Sequence, residues 1–239
     1  MGNSNNATVL DPEEIDKYSD KIYPECVRIL YRVRARTILT HISIVLATLY
    51  TGWTEETWFS NLLLVSAFFL YLLFDLYSTR KFNSSAVPDE EIKSWGRRLY
   101  YNLAVVGLSY NIIYMNLAFH GVENAMVYLI VITALFSIGA VTIHIYLKGL
   151  SSVYIISAMV PQSVYYLVAD VEGGVIFSIC LATFVVGMTI IGLQINNNAI
   201  RTLALNHLLQ DAKEKAENAT KLKDKFVSLV SHDLRGPIS

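Results

Sequence analysis

Six long apolar segments, nearly free of charge, fill the chain between residues 37 and 195: approximately Thr37–Trp53, Trp58–Tyr77, Leu99–Phe119, Ala125–Leu147, Ser151–Ala169 and Gly174–Ile195. A bilayer core about 30 Å thick needs roughly 20 residues of helix at about 1.5 Å each, and every segment approaches that length. With 54% of residues hydrophobic and only 16% charged, lipid is the expected solvent. The expectation is an all-α integral membrane protein: a six-transmembrane-helix bundle (37–195) between a cytoplasmic N-terminal segment (1–36) and a cytoplasmic C-terminal helix.

The charges are segregated between these segments, so the net charge of -1 is uninformative and a broad basic surface for nucleic acid is excluded. Arg28, Arg32, Arg34 and Arg36 precede the first segment, and Arg80, Lys81, Lys93, Arg97 and Arg98 fill the second connection. Lys148 and Arg201 mark the other ends on that side. The opposite connections hold Glu55, Glu56, His120, Glu123, Asp170 and Glu172 and no lysine or arginine. By the positive-inside rule both termini are cytoplasmic, with Trp53 and Trp58 as outer anchors and Trp95, Tyr100 and Tyr101 as inner ones. Ser78–Arg98, polar and containing Pro88, reads as an ordered-to-flexible loop. No cleavable signal peptide is evident, so the first apolar helix directs insertion, and Asn6 stands where myristoylation wants Ser or Thr. Cys26 and Cys180 form neither a disulfide framework nor a metal spacing and read as packing residues.

Asp11, Pro12, Glu13 and Glu14 make a good helix start, after which Ile22, Cys26, Ile29 and Val33 share one apolar face, with a bend expected at Pro24. Such a helix lies along the inner leaflet or packs on the cytoplasmic connections. Beyond the sixth segment, in 196–224 and onward, Leu205, Leu208, Ala212, Lys215, Ala219, Leu222, Phe226 and Leu229 recur at steps of three and four. This is the seam of a coiled-coil linker, weakened by Lys215 and the alanines, and suited to transmission between partner chains.

The last residues, Phe226-Val-Ser-Leu-Val-Ser-His-Asp-Leu-Arg-Gly-Pro-Ile-Ser239, resemble the H-box of two-component sensor histidine kinases. The resemblance covers some fourteen residues, set behind a membrane anchor and a heptad helix in the order that family uses. It implies a protein-histidine kinase in which His232 is the phosphorylated nucleophile and Asp233 its carboxylate partner. Neutral imidazole suits the first role near pH 7, and a carboxylate can select its tautomer and share developing charge. Arg235 supplies a nearby cation by resemblance, and Pro237 ends the helix as in the family signature. Gly236 stands where many members carry Thr or Asn, which puts phosphatase activity in doubt. The resemblance further implies a homodimer in a bacterial inner (plasma) membrane, ATP and Mg as cofactors, and a response regulator receiver domain as partner. Residues 225–239 would begin the dimerisation and phosphotransfer domain, with its remainder and the ATP-binding domain absent, so this piece alone is expected to be inactive. The rival, a transporter or channel, would show intramembrane charge arrays or paired broken helices, whereas one proline break and few charges are found.

Polar groups within the apolar segments are the places to look for sensing. Pro161 and Gln162 interrupt the fifth segment, and Tyr165 lies one turn on. With Cys180, Thr183 and Phe184 at similar depth in the sixth, they are a candidate signal pocket for a small, fairly apolar ligand; the alternative is a kinked helix with the Gln162 amide bonded to a neighbour. His41 and His144 fall near the same boundary, where two imidazoles at equal depth suggest haem ligation, or pairing of one with Asp75. Asn111 and Asn116 read as glue between helices, and His120 and His207 as solvated.

Overall fold

In the computed structural model the backbone is described for residues 12–51, 54–122, 124–169 and 173–235, and side chains for 22–50, 54–122, 124–169 and 173–230. Trp53, Glu123, Asp170 and Glu172 lie outside these, as do Asp11 and the side chains of Glu13 and Glu14. The described residues form six helices and no strand: α1 (Pro12–Thr51), α2 (Trp58–Ser84), α3 (Asp89–Phe119), α4 (Ala125–Ile143), α5 (Leu150–Val168) and α6 (Gly174–Arg235). Each contains the greater part of one apolar segment. Four of them, α2, α3, α4 and α6, are long and apolar enough to cross a membrane. In α1 the apolar stretch shares its helix with Arg34 and Arg36, and α5 is diluted by Pro161, Gln162 and serines.

The chain divides into two compact units, Asp20–Ala199 and a second made of Met1–Ser19 with Ile200–Ser239. Within the first, α3 is the central helix and packs against α2, α4 and α5. Its closest approach, to α5, is made at Gly107, where a methyl group would overlap Ser157 and lie 3.0 Å from the Ala158 backbone nitrogen. Asn111, one turn further on, donates to the carbonyls of Ser157 at 3.2 Å and Ala158 at 2.9 Å. Pro161 has no N–H to give the Ser157 carbonyl four residues earlier, so the amide of α3 satisfies an acceptor that proline orphans. Asn116 similarly reaches Ser60 of α2 at 3.1 Å.

Helix α1 joins the bundle through one face, burying Ile22, Cys26, Val27, Leu30, Tyr31, Arg34, Ile38, His41, Val45 and Thr48 at the three-and-four spacing of a helical stripe. Ile29 is only partly buried, so this face is rotated from the expected one, and α1 runs through Pro24 as a single helix. Around Arg28 and Tyr31 it packs on the ends of α2 and α3. Tyr31 stacks on Phe82 with centroids 4.0 Å apart and donates to the Trp95 carbonyl at 3.1 Å. Asn83 donates to the Tyr31 carbonyl, and Arg28 pairs with Asp89 at 2.7 Å. Burial pushes the Tyr31 phenol up to about 12, so it stays a neutral donor.

The loop expected at Ser78–Arg98 is a correction. Helix α2 continues to Ser84 and α3 starts at Asp89, leaving only residues 85–88 between them. Pro88 precedes the first turn and cannot extend α2, while Asp89, Glu90 and Glu91 sit at the positive end of the α3 dipole and Lys81 at the negative end of α2. The α4–α5 connection is held by Tyr100, which donates to the Lys148 carbonyl at 2.8 Å, and by Asn196, which donates to the carbonyl of Ile145.

Large apolar side chains cover the outside of the bundle, among them Leu63, Leu70 and Phe74 on α2, Leu135 and Ile138 on α4, and Ile176 and Ile179 on α6. Such a surface is stable against hydrocarbon rather than water. In the second unit the described side chains belong to α6, and those from Leu209 to Val230 are all exposed, including Leu222, Phe226 and Leu229 of the heptad seam.

Candidate functional site

The bundle holds a cavity of about 510 Å³ between α1 and α4, closed at its base by Leu103 of α3 and Tyr154 of α5. Ile44, Ile132, Leu135, Phe136 and Ile143 make it mostly apolar. Its polar lining comes from Arg36, Thr37, Thr40, His41, His144 and Tyr154. The two histidines expected at one boundary are therefore brought to the same cavity, and both are almost wholly buried, at 4% and 6% exposure.

Each imidazole is oriented by its Nδ1. In His41 that atom lies 2.9 Å from the Tyr110 hydroxyl, and the ring stacks on Phe136 with centroids 4.5 Å apart. In His144 it lies 3.2 Å from the Ala140 carbonyl. A carbonyl only accepts, so His144 carries its proton on Nδ1 and a lone pair on Nε2. Thr37 and Thr40 donate back to the carbonyls of Val33 and Arg36, which uses their protons within α1. The Tyr154 hydroxyl is buried without a hydrogen-bond partner.

Asp75 pairs with neither histidine. It accepts from Arg34, Nη2 to Oδ2 at 2.7 Å and Nε to Oδ1 at 3.3 Å, and from Asn102 Nδ2 at 2.7 Å. Tyr71 donates to Asn102 Oδ1 at 2.9 Å. The chain Arg34–Asp75–Asn102–Tyr71 thus ties α1, α2 and α3 together beside the cavity. Arg34, counted from sequence among the charges that precede the first segment, is 5% exposed.

The five residues expected around the fifth and sixth segments do not converge. Gln162 is buried and donates to Thr133 of α4 at 3.0 Å and to its own helix at Ala158. Cys180 and Thr183 are exposed, Thr183 donating to Ile179, while Tyr165 and Phe184 are partly buried. None of the five lines the cavity between α1 and α4. Gln162 is interhelical glue here, and the outward side of α6 takes Cys180 and Thr183 away from α5. Phe136 and Tyr154, which line the cavity, and Tyr110, which holds His41 from outside it, were missed; tyrosines deep in apolar segments were the available signal, since each must bring a hydroxyl into hydrocarbon.

His232 and Asp233 belong to the last turns of α6, but their side chains lie outside the described residues, as do Gly236 and Pro237 altogether. Among the described residues no group of three or more His, Cys, Asp or Glu is placed to hold a metal ion. No family model matches the chain, and neither a curated protein nor a solved structure matches it.

Proposed function

We propose that the chain is the membrane-sensing portion of a sensor histidine kinase. Six membrane spans place both termini in the cytoplasm of a bacterial cell, and α6 carries a signal from the bundle to His232. The observation that supports this reading most is a single helix, α6, that begins in an apolar bundle, exposes Leu222, Phe226 and Leu229 on its heptad seam, and ends in the Ser-His-Asp-Leu-Arg sequence at residues 231–235. Two copies of the seam bury each other in a homodimer.

The chemistry follows from the residue types. A ring nitrogen of His232 attacks the terminal phosphorus of ATP, an N–P bond forms as the bond to the bridging oxygen of ADP breaks, and ADP leaves. Asp233 holds the other nitrogen and shares the imidazolium charge until the ring proton is released. The ATP-binding domain that supplies nucleotide and Mg is not contained in these residues. The phosphoryl group then passes to an aspartate of a response regulator. A ligand switches the kinase only by its difference in affinity for the two stalk arrangements, and moving 1:99 to 99:1 takes about 5.5 kcal/mol.

The test is phosphorylation of the complete kinase in membranes by radiolabelled ATP. His232→Gln is expected to abolish an acid-labile label. Unchanged labelling would remove His232 as the phosphoacceptor and the proposal with it.

A further inference from the structure

The cavity between α1 and α4 has a size, a mouth and a polar end that together select a ligand. Its volume, about 510 Å³, lies in the range of roughly 300 to 1,000 Å³ occupied by small-molecule sites. Three of its lining residues, Arg36, Thr40 and Leu135, are exposed, Leu135 at 65%, so the mouth opens on the flank of the bundle beside the apolar surface of α4. A molecule dissolved in lipid reaches it laterally.

The interior asks for a hydrogen-bond donor. The Ala140 carbonyl accepts from Nδ1 of His144 and so leaves Nε2, on a ring that lines the cavity, as a lone pair. The cavity's threonine protons are committed to α1 carbonyls, and no other donor from the protein is described at Nε2. Tyr154, lining the same space, has a buried hydroxyl that is also without a partner. Polar atoms kept from water and left unpaired are costly, so a ligand of pure hydrocarbon would leave the Nε2 lone pair unsatisfied. A carboxylate would face the His144 lone pair with negative charge and could meet a cation only at Arg36, on the exposed rim. A hydroxyl satisfies Nε2 by donating to it.

We propose that this cavity binds a membrane-borne amphiphile with an apolar body and a hydroxyl head, the hydroxyl donating to Nε2 of His144. The assignment rests on the cavity alone and stands or falls apart from the kinase reading, because its readout is occupancy.

The probe is a ten-carbon primary alcohol bearing a diazirine in its chain, photolysed with the purified chain in lipid nanodiscs and mapped by peptide mass spectrometry. Label is expected on the α1 and α4 residues that line the cavity. Unlabelled 1-decanol should suppress it at least about tenfold better than decyl methyl ether, which cannot donate; a factor of ten is about 1.4 kcal/mol. His144→Phe should erase that preference while the helical circular dichroism is kept, and Leu135→Trp at the mouth, which leaves His144 untouched, should lower labelling with either variant background folded. Label that is not competed, equal competition by the ether, or stronger competition by decanoate would overturn the proposal, the last assigning the head to Arg36. A Soret band appearing on addition of hemin and lost in His144→Phe would overturn it in favour of a metalloporphyrin site.

Discussion

Arg34 of α1 and Asp75 of α2 meet as a two-point ion pair inside the bundle, with side chains 6% and 2% exposed. Asn102 of α3 supplies a third donor to the same carboxylate. Desolvating two charges is expensive, and the pair persists because the remaining lone pairs of Asp75 are used rather than left bare. The geometry makes it the latch of α1: one helix brings the cation, a second the anion, and a third the amide that completes them.

Removing one charge should therefore cost more than removing both. Asp75→Leu strands a buried guanidinium, and a loss of about 3–5 kcal/mol is expected. Arg34→Met combined with Asp75→Leu should recover most of it. Thermal unfolding followed by circular dichroism in one detergent measures both; equal destabilisation by the single and double variants would show that the latch does not act as a pair.

The partnership of Asn111 with the Ser157 carbonyl gives a second cycle. Asn111→Leu leaves that acceptor unpaired and should destabilise by about 1–3 kcal/mol. Pro161→Ala restores an N–H within α5 and makes Asn111 partly redundant, so the Asn111→Leu penalty should shrink in the Pro161→Ala background. Additive unfolding energies would refute the link.

How much of this was legible beforehand depends on which force places each residue. The six helices follow from apolar segments long enough to cross hydrocarbon, a local property, and Asn111 and Asn116 were readable as glue because an amide within such a segment has few other uses. The α2–α3 connection was misjudged because its polar composition describes exposed helix as well as loop, and only Pro88 with the acids after it marks the true break. A histidine partner for Asp75 was one open alternative, and for Gln162 a pocket stood beside an amide bonded to a neighbour; the choice could not be made from sequence because helix rotation about its own axis decides the partner, and apolar segments with almost uniform hydropathy carry little record of rotation. His41 and His144 could be placed at one depth from position alone; that they line one cavity needed the packing of α3 and α5 beneath them.

Glycines of α3 and α4 should respond oppositely to a methyl group. Gly107→Ala forces α3 from the α5 backbone and should cost about 1–3 kcal/mol by overpacking. At Gly139 nothing lies within 4 Å of the new methyl, so Gly139→Ala should be neutral or slightly stabilising through helix propensity. Unfolding midpoints of the two variants check the contrast.

The two thiols should also separate. Burial pushes the Cys26 thiol up to about 12, whereas Cys180 is exposed. Maleimide attacks the thiolate, so at pH 8 in detergent Cys26 should be spared until the chain is denatured, and any label before that should fall on Cys180. Because the folded value is raised above an unfolded one of 9.0, this burial contributes stability that is full below pH 9 and is lost as pH climbs toward 12. Modification of both thiols at the same rate would place Cys26 outside the α1 interface.

The dependence of Pro161 on Asn111 makes the order of the two substitutions matter physically. An ancestor holding the asparagine first could accept a proline four residues past Ser157 at any later time, since the freed carbonyl already had an amide beside it. An ancestor gaining the proline first would have carried a naked acceptor in hydrocarbon through every generation until the asparagine arose. Among descendants of this chain, loss of the proline alone should therefore be the commoner lesion, and loss of the asparagine alone the rare one.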